Sequence, residues 1–338
     1  MASTTLPRTR SIVPGLALAG VAAAASFALT TVVHGLSALL VAIVLGIAFR
    51  NLVRLPERVE AALAPGLAVA SRRVLRIGIV LLGLQLVLGD ILRLGPGMIL
   101  VVVAIVIVGI LSSLLLGRVL GISPTQRLLI ACGFSICGAA AVAAVDGVIE
   151  TEDDEEVVVA VALVVLFGTL MIPVLPLAAS VLGLGQLQAG LWAGGSIHEV
   201  AQVVAAGSAI GGAGLAAAVV VKLARVLMLA PVLAVISVSR RRALKRLDAG
   251  GKRPPIVPLF VVGFIAMVLL RSTGIVPASV VSVASGVETA LLAAAMFALG
   301  AGVRIATFRR VGVKPFVLAV GSTAVVASVA LVGVLLAG

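Results

Sequence analysis

The fold turns on the stretch Ala131-Cys-Gly-Phe-Ser-Ile-Cys-Gly-Ala-Ala-Ala-Val142, which lies inside an apolar segment of membrane length, residues 126–149. Gly133 and Gly138 bracket a serine and two cysteines there, and a glycine weakens a helix interior by about 1 kcal/mol relative to alanine. In a bilayer, loosened backbone is tolerated only where it lines a cavity or is buried in protein. We predict a helix broken at the bilayer midplane, whose second half begins near Ser135 and directs free N–H groups at an anion. The alternative is a continuous helix that uses small residues for close packing.

The composition is that of a polytopic, all-α membrane protein. Of the 338 residues, 62% are hydrophobic and 11% are charged, whereas a soluble domain is about 45–50% apolar and about 25% charged. A β-barrel is excluded because the apolar runs are continuous rather than alternating. The net charge of +12 does not indicate nucleic-acid binding, because the basic residues lie between apolar segments, where they set topology. We expect no cofactor, and the two cysteines do not form a zinc pattern.

A membrane span needs about 20 apolar residues, and the chain offers eleven candidates. They are residues 14–33, 35–53, 74–92, 96–120, 126–149, 157–182, 187–206, 214–238, 257–270, 287–303 and 315–336. We predict a single transporter domain over residues 1–338, made of an extra N-terminal helix (14–33) and two halves (35–182 and 187–336).

The basic residues of the connections predict the orientation, because lysine and arginine favour cytoplasmic loops. They are Arg50, Arg54, Arg58, Arg72 and Arg73 after span two, Arg118 and Arg127 around the loop after span four, Arg240, Arg241, Arg242, Lys245, Arg246, Lys252 and Arg253 after span eight, and Arg304, Arg309, Arg310 and Lys314 after span ten. A cytoplasmic N-terminus puts all of these clusters inside. It puts the acidic segment 150–156 and the C-terminus outside, as expected for a multi-pass membrane protein.

Two short similarities suggest an internal repeat. Arg73-Val-Leu-Arg76 opens span three, and Lys222-Leu-Ala-Arg225 lies in span eight, so the copies are five spans apart and run in opposite directions. The same shift takes span five to span ten, where Phe297-Ala-Leu-Gly300-Ala-Gly302 interrupts the helix. Paired interruptions are typical of inverted-repeat transporters. We therefore predict an inverted repeat of 5+5 helices with two broken helices.

Span seven carries the polar sequence Leu191-Trp-Ala-Gly-Gly-Ser-Ile-His-Glu-Val-Ala-Gln202. An ionisable group at the bilayer centre costs about 2.5–3.5 kcal/mol, so His198 and Glu199 must face a cavity or a partner. A structural role, with Glu199 paired to Lys222 or Arg225, and a transport role in gating or proton coupling both stay open.

Lys222 and Arg225 are three residues apart and share one helix face. Snorkelling to the outer headgroups is the alternative. Two broken-helix N-termini each supply about half a positive charge, which with these two cations gives about three positive units against one from Glu199. That balance suits a divalent oxyanion.

The sequence therefore predicts a substrate site made by Ser135, Ile136, Cys137, Gly138, Gly300, Ala301, Gly302, Lys222 and Arg225, and gating or coupling by His198, Glu199 and Gln202. An enzyme is not expected. The run His198-Glu-Val-Ala-Gln202 imitates the start of the zinc motif H-E-x-x-H, but it ends in glutamine, and His34 is the other histidine. Gly133-Phe-Ser-Ile-Cys137 lacks the last glycine of the nucleophile elbow. An intramembrane hydrolase therefore remains the remote alternative.

Three runs together resemble the YeiH-like family of bacterial inner-membrane proteins, which are described as sulfate exporters. They are Ser135-Ile-Cys-Gly-Ala-Ala-Ala-Val142, His198-Glu-Val-Ala-Gln-Val-Val-Ala-Ala-Gly207 and Lys222-Leu-Ala-Arg-Val-Leu-Met-Leu-Ala-Pro231. The resemblance extends from about Pro14 to the C-terminus. It implies export of a small oxyanion such as sulfate, and a fold similar to sodium–proton antiporters and bile-acid transporters, with crossed broken helices.

We accordingly expect a secondary anion transporter that works by alternating access, with a coupling proton or cation and a homo-oligomer left open. The alternative is a proton- or sodium-coupled cation antiporter that uses Glu199 and His198. Cation-coupled members of the resembled architecture often carry acidic residues near the helix crossing, where this chain has Ser135, Cys137 and residues 300–302.

Overall fold

A computed structural model of the chain describes residues 11–32, 38–149, 151, 154–246, 259–302 and 312–337. These residues form α-helices joined by turns, and no strand occurs among them, so the all-α prediction is confirmed for this part of the chain. Several residues of the charge argument lie outside the described residues, namely Glu150, Glu152, Asp153, Lys252, Arg253, Arg304, Arg309 and Arg310.

The chain divides into two compact units. The first unit comprises Met1–Leu75 and Thr289–Arg304, and the second comprises Arg76–Glu288 and Ile305–Gly338.

The first unit contains α1 (Val13–Val32), α2 (Ala38–Leu52), α3 (Glu57–Val69) and the last part of α15 (Ala278–Gly300). Its helices approach closely at glycines. A Cβ atom at Gly15 of α1 would collide with the backbone of α3 at Gly66, and one at Gly300 would collide with the carbonyl of Ile43. Gly300 therefore has a packing role against α2.

The second unit contains the remaining helices of the described chain. They are α4 (Leu75–Leu82), which follows the π-helical turn Ala70–Val74, α5 (Leu88–Arg93), α6 (Gly95–Val119), α7 (Pro124–Ser135), α8 (Ala139–Ile149), α9 (Asp154–Val181), α10 (Gln186–Ser196), α11 (Val200–Ile210), α12 (Gly212–Leu227), α13 (Leu229–Arg246), α14 (Leu259–Ser272), the first part of α15, and α16 (Lys314–Ala337).

Six helices of the described chain are long and apolar enough to cross a membrane. They are Val13–Thr30, Gly95–Val119, Glu155–Val181, Gly212–Arg242, Ala278–Gly300 and Lys314–Ala337. The predicted spans 74–92, 126–149 and 187–206 are instead divided into shorter helices. The eleven apolar segments are thus not eleven continuous helices.

Helices α7 and α8 fold back on each other as a hairpin, which we call the first hairpin. Glu156, in the first turn of α9, accepts a hydrogen bond from Ser123, the N-cap of α7. The seven residue steps from Ile149 to Glu156 reach at most about 25 Å, whereas a straight continuation of α7 into α8 would separate Ser123 from Ile149 by roughly 40 Å. The prediction that residues 126–149 continue across the membrane as one broken helix is therefore wrong.

Helices α10 and α11 form a second hairpin in the same way. A Cβ atom at Gly211, just after α11, would come within 2.8 Å of the side-chain amide of Gln186, the first residue of α10. The start and the end of the segment therefore lie side by side. The prediction of a single crossing over residues 187–206 is wrong for the same geometric reason.

The two hairpins enter the unit from opposite ends. Helix α12 runs parallel to α10, because a Cβ atom at Gly190 would meet Gly214 and one at Gly194 would meet Ala218. Helices α12 and α13 continue that direction as one apolar run, Gly212–Arg242. At its far end Arg240 donates a hydrogen bond to the carbonyl of Val148, near the end of α8. The open ends of the hairpins are thus far apart, and their tips meet along the middle of this run.

Glu155 and Glu156, at the start of α9, lie at the same end of the unit as basic residues. Glu156 bonds Ser123, which follows Arg118 by five residues, and Arg240 reaches Val148 near the end of α8. The prediction that these two glutamates and these basic residues face opposite sides is wrong, because it counted residues 126–149 as a crossing.

Residues 300–302 lie where a long helix stops. Helix α15 has 23 residues and ends at Gly300, and Ala301 and Gly302 form the turn that follows. The residues after Gly302 lie outside the described ones up to residue 311, so the break at this place stays a prediction, and so does the matching of span five with span ten. In the described chain, the interruption that accompanies residues 136–138 lies at residues 197–199, two predicted spans later.

Candidate functional site at the hairpin tips

The tip of the first hairpin, residues 136–138, turns the chain without any charged side chain. Gly138 has a φ angle of +80°, a left-handed conformation that favours glycine. Its N–H donates to the carbonyl of Gly133 at 2.9 Å, which closes the end of α7. Its own carbonyl accepts from Ala141 and Val142, which starts α8.

The tip of the second hairpin, residues 197–199, is extended and carries side chains that can do chemistry. Glu199 is the N-cap of α11, and with Gln202 it forms a capping box, in which each side chain accepts from the other residue's backbone N–H. The amide of Gln202 also donates to the carbonyl of Val165 at 3.3 Å, and it lies 3.5 Å from the hydroxyl of Thr169 on α9. Gln202 therefore holds the second tip against α9, which explains why a glutamine is found here.

Arg225 of α12 joins the two hairpins from a fully buried position. It donates five hydrogen bonds, all to carbonyl oxygens at the ends of α7 and α10. The acceptors are Phe134 (3.0 Å), Ser135 (3.2 Å), Gly194 (3.1 Å), Gly195 (2.7 Å) and Ile197 (3.0 Å). The last carbonyls of a helix lack intrahelical partners, so the guanidinium satisfies the end of each hairpin's first helix.

Lys222 does the same one turn earlier on α12. Its Nζ atom donates to the carbonyls of Ile136 and Ile197, both at 2.9 Å. Neither cation is exposed, so the snorkelling alternative is wrong. In the described chain no ion pair joins Glu199 to Lys222 or Arg225, so the predicted structural pairing is absent as well.

The Glu199 carboxylate lies where the N-terminal ends of α8 and α11 converge. Its Oε1 atom accepts from the N–H of Ala139, the first residue of α8, at 3.2 Å, and the side chain also accepts from the N–H of Gln202. The other oxygen, Oε2, is buried and has no partner among the residues that the structure describes. Gly138 allows this approach, because a Cβ atom there would collide with Cγ of Glu199.

His198 ties the second tip to the first hairpin and to α16. Its Nδ1 atom lies 3.2 Å from the carbonyl of Phe134, and its Nε2 atom lies 3.1 Å from the hydroxyl of Thr323. Because a carbonyl can only accept, Nδ1 carries a proton. The ring also packs 4.5 Å from the ring of Phe134. Both ring nitrogens are thus engaged, and within the described ranges no group of three His, Cys, Asp or Glu residues could hold a metal ion.

Ser135 and the two cysteines are buried in the first hairpin. The Oγ atom of Ser135 is buried, has no partner in the described part of the chain, and lies against Gly109 of α6. Cys132 and Cys137 are free thiols, and both are buried.

The predicted site residues thus fall into two groups. Those that come together at the hairpin tips are Ser135, Ile136, Cys137, Gly138, His198, Glu199, Gln202, Lys222 and Arg225. Gly300, Ala301 and Gly302 belong to the first compact unit, whereas the residues of the hairpin tips belong to the second.

Sequence reasoning missed several backbone groups of the site. The carbonyls of Phe134, Gly194 and Gly195 accept from Arg225, and the N–H of Ala139 donates to Glu199. The adjacent glycines of span seven were a visible signal for two of them. Thr323, the partner of His198, lies 125 residues further along the chain, and no local pattern marks it.

These features define an integral membrane protein: several helices of spanning length surround a buried polar site between two hairpin tips. The family model described as "Conserved hypothetical protein 698" matches residues 14–319, and the chain belongs to this family.

Its relatives are described as UPF0324 membrane proteins. The chain is 57% identical over 323 residues to one from Corynebacterium glutamicum, covering 96% of this chain and 92% of that protein. It is 40% identical over 327 residues to one from Pseudomonas aeruginosa (93% and 91% covered), and 36% identical over 345 residues to the UPF0324 membrane protein TauZ of Paracoccus pantotrophus (100% of both). No solved structure matches. The resemblance to a bacterial membrane-protein family is confirmed at this level, and these descriptions name no substrate.

Proposed function

We propose that this protein is a secondary transporter that moves a small oxyanion, such as sulfate, across the plasma membrane by alternating access. The observation that carries the proposal is the buried meeting point of the N-terminal ends of α8 and α11, beside Lys222 and Arg225. Helix N-terminal ends bind anions through their free N–H groups. Interrupted helices at membrane depth are typical of substrate sites in transporters.

The charge balance at the tips favours an anion. Each hairpin brings one negative C-terminal helix end and one positive N-terminal helix end, so the helix dipoles nearly cancel. Two buried cations, Lys222 and Arg225, then face one carboxylate, Glu199. The surplus is about one positive charge when Glu199 is ionised and about two when it is protonated.

Lys222 and Arg225 would supply charge to the site without contacting the substrate themselves. They occupy the carbonyls at the ends of α7 and α10, the groups that would otherwise coordinate a transported cation. Their charge supports an anion nearby, while the N–H groups of α8 and α11 would contact it. This arrangement disfavours the alternative, a proton- or sodium-coupled cation antiporter that uses Glu199 and His198.

The hairpin geometry also revises the proposed topology. Arg118 and Arg240 mark a cytoplasmic end by the bias of basic residues, and Glu155 and Glu156 then lie inside with them. Gly97, at the other end of α6, lies beside Ala337, so the C-terminus is proposed to be outside, as the sequence predicts.

Sulfate flux into proteoliposomes tests the proposal. The full-length protein is reconstituted, loaded with sulfate, and assayed for exchange with external radiolabelled sulfate, with empty liposomes as the baseline. We expect exchange that is saturable and competed by related oxyanions. Flux equal to that of empty liposomes for sulfate, sulfite, thiosulfate, sulfonates and carboxylates would contradict the proposal. Cation flux that is insensitive to anions and abolished in Glu199→Gln would favour the antiporter instead.

A further inference from the structure

The Glu199 carboxylate already binds the groups that a substrate anion would need. Its Oε1 atom accepts from the N–H of Ala139 at the start of α8, and the side chain accepts from the N–H of Gln202 in the first turn of α11. An oxyanion held by these two helix ends must use the same donors. The Glu199 side chain and the substrate therefore compete for the same N–H donors.

The second oxygen of the Glu199 carboxylate independently indicates that the site takes up another group. Oε2 of Glu199 is buried and has no hydrogen-bond partner in the part of the chain that the structure describes, and the residue is only 5% exposed. A buried, unpaired, ionised oxygen is expensive, whereas a protonated carboxyl avoids most of that penalty. Oε2 is thus the atom at which a proton would bind.

We propose that the Glu199 carboxylate is a built-in occupant of the anion site that gives way when it takes up a proton, so that one proton and one oxyanion bind together. This inference rests on the proposed function. A hydronium ion gives its proton to Oε2: one O–H bond of the hydronium ion breaks, one O–H bond forms on the carboxyl group, and neutral water is left. The neutral carboxyl is a weaker acceptor than the carboxylate, so the N–H groups of α8 and α11 become available to the oxyanion.

The groups around Glu199 fit this exchange. Lys222 faces it from α12, Cys137 faces it from the first tip, Arg225 lies beside Lys222 and Cys137, and His198 precedes it in the chain. Lys222 and Arg225 are held by backbone carbonyls, and His198 is held at both ring nitrogens. The two cations therefore keep their places when Glu199 becomes neutral, and the positive surplus rises by one charge.

Sulfate binding to the purified full-length protein, measured by calorimetry from about pH 5 to about pH 8, tests the exchange, since sulfate itself stays fully ionised across this range. In the wild type we expect the dissociation constant to rise about tenfold per pH unit once Glu199 has lost its proton, because one proton is linked to one anion. In lightly buffered solution, about one proton should be taken up per sulfate bound.

Three variants make the measurement specific. Glu199→Gln keeps an acceptor oxygen for Ala139 and Gln202 while imitating the protonated state, so its affinity should be independent of pH, with no proton uptake. Glu199→Asp keeps the titrating group and should keep the slope. Glu156→Gln, at the open end of the first hairpin, is the control and should behave as the wild type does.

The outcomes separate this inference from the proposed function. If Glu199→Gln binds sulfate with the slope and proton uptake of the wild type, the exchange is wrong and the transporter proposal stands. If neither the wild type nor Glu199→Gln binds sulfate, sulfite, thiosulfate, sulfonates or carboxylates at any pH tested, both are overturned.

Discussion

The two hairpins bond the same two cations but bring different groups to the site. The first hairpin contributes backbone carbonyls and the N–H of Ala139, whereas residues 197–199 of the second add the side chains of His198 and Glu199. In both hairpins the first helix ends at a buried serine, Ser135 or Ser196, whose Oγ atom has no partner among the described residues. The start of α8 is capped by Glu199 of the other hairpin, so the first tip depends on the second.

This asymmetry gives the two tips different roles. The first tip offers backbone dipoles, whose charge is fixed. The second tip carries the Glu199 carboxylate, whose charge changes when it binds a proton. In such a site the backbone donors stay in place, and the charge of the Glu199 side chain controls whether an oxyanion binds.

The strongest test of the hairpins themselves is labelling from one side of the membrane. With Cys132 and Cys137 replaced by alanine, Arg118→Cys and Glu155→Cys should react with the same membrane-impermeant thiol reagent from the same side. Gly185→Cys, at the open end of the second hairpin, should react only from the opposite side. The expected difference is all or none, because the hairpins do not cross the unit. If positions 118 and 155 react from opposite sides, residues 126–149 cross the membrane and the first hairpin is wrong.

The next largest effect is expected from the cations that hold both tips. Arg225→Met removes the donor of five hydrogen bonds to buried carbonyls, and each unsatisfied buried group costs about 1–3 kcal/mol. We expect a loss of at least about 3 kcal/mol in the free energy of unfolding, measured by denaturation in detergent.

Lys222→Met is the matched comparison for Arg225→Met. It deprives two carbonyls of a donor, and one of them, that of Ile197, still accepts from Arg225. Its destabilisation should therefore be clearly smaller. Equal losses in the two variants would show that the carbonyl contacts do not account for the role of Arg225.

Gly138→Ala should have an intermediate effect. The left-handed backbone costs about 1–2 kcal/mol for alanine, and the new methyl group collides with the side chain of Glu199. We expect that loss of stability together with a weaker pH dependence of sulfate binding. Gly185→Ala is the control, since a Cβ atom there meets nothing within 4 Å, and a similar loss in that variant would remove the special role of Gly138.

The smallest effect on stability is expected at the unpartnered serines. Ser135→Ala and Ser196→Ala each remove a buried hydroxyl that has no partner among the described residues. The free energy of unfolding, measured by thermal denaturation, should therefore change by less than about 0.5 kcal/mol. If Ser135 donates to the substrate as the sequence predicts, sulfate affinity should fall about fivefold, the value of one hydrogen bond. Unchanged affinity in Ser135→Ala would remove this residue from the site.

The sequence by itself determined the class of protein and most of the polar residues at the tips. Long apolar runs exclude a soluble surface, and the high cost of polar groups in lipid singles out His198, Glu199, Gln202, Lys222 and Arg225. Glycines in the segment 126–149 likewise marked the place where the helix ends. These signals are local, so one chain suffices to see them.

Only the tertiary structure decided where the chain turns back and which groups meet. A half-helix that crosses and one that returns have the same composition, so residues 126–149 looked like a crossing until Glu156 was found beside Ser123. The glycines at 300–302 marked the end of α15, but only the structure shows that Gly300 packs against α2. The contacts of Arg225 and Glu199 with backbone groups of the other hairpin join residues distant in the chain. Apolar length reports only that a segment avoids water, whereas direction and partners depend on packing between distant helices.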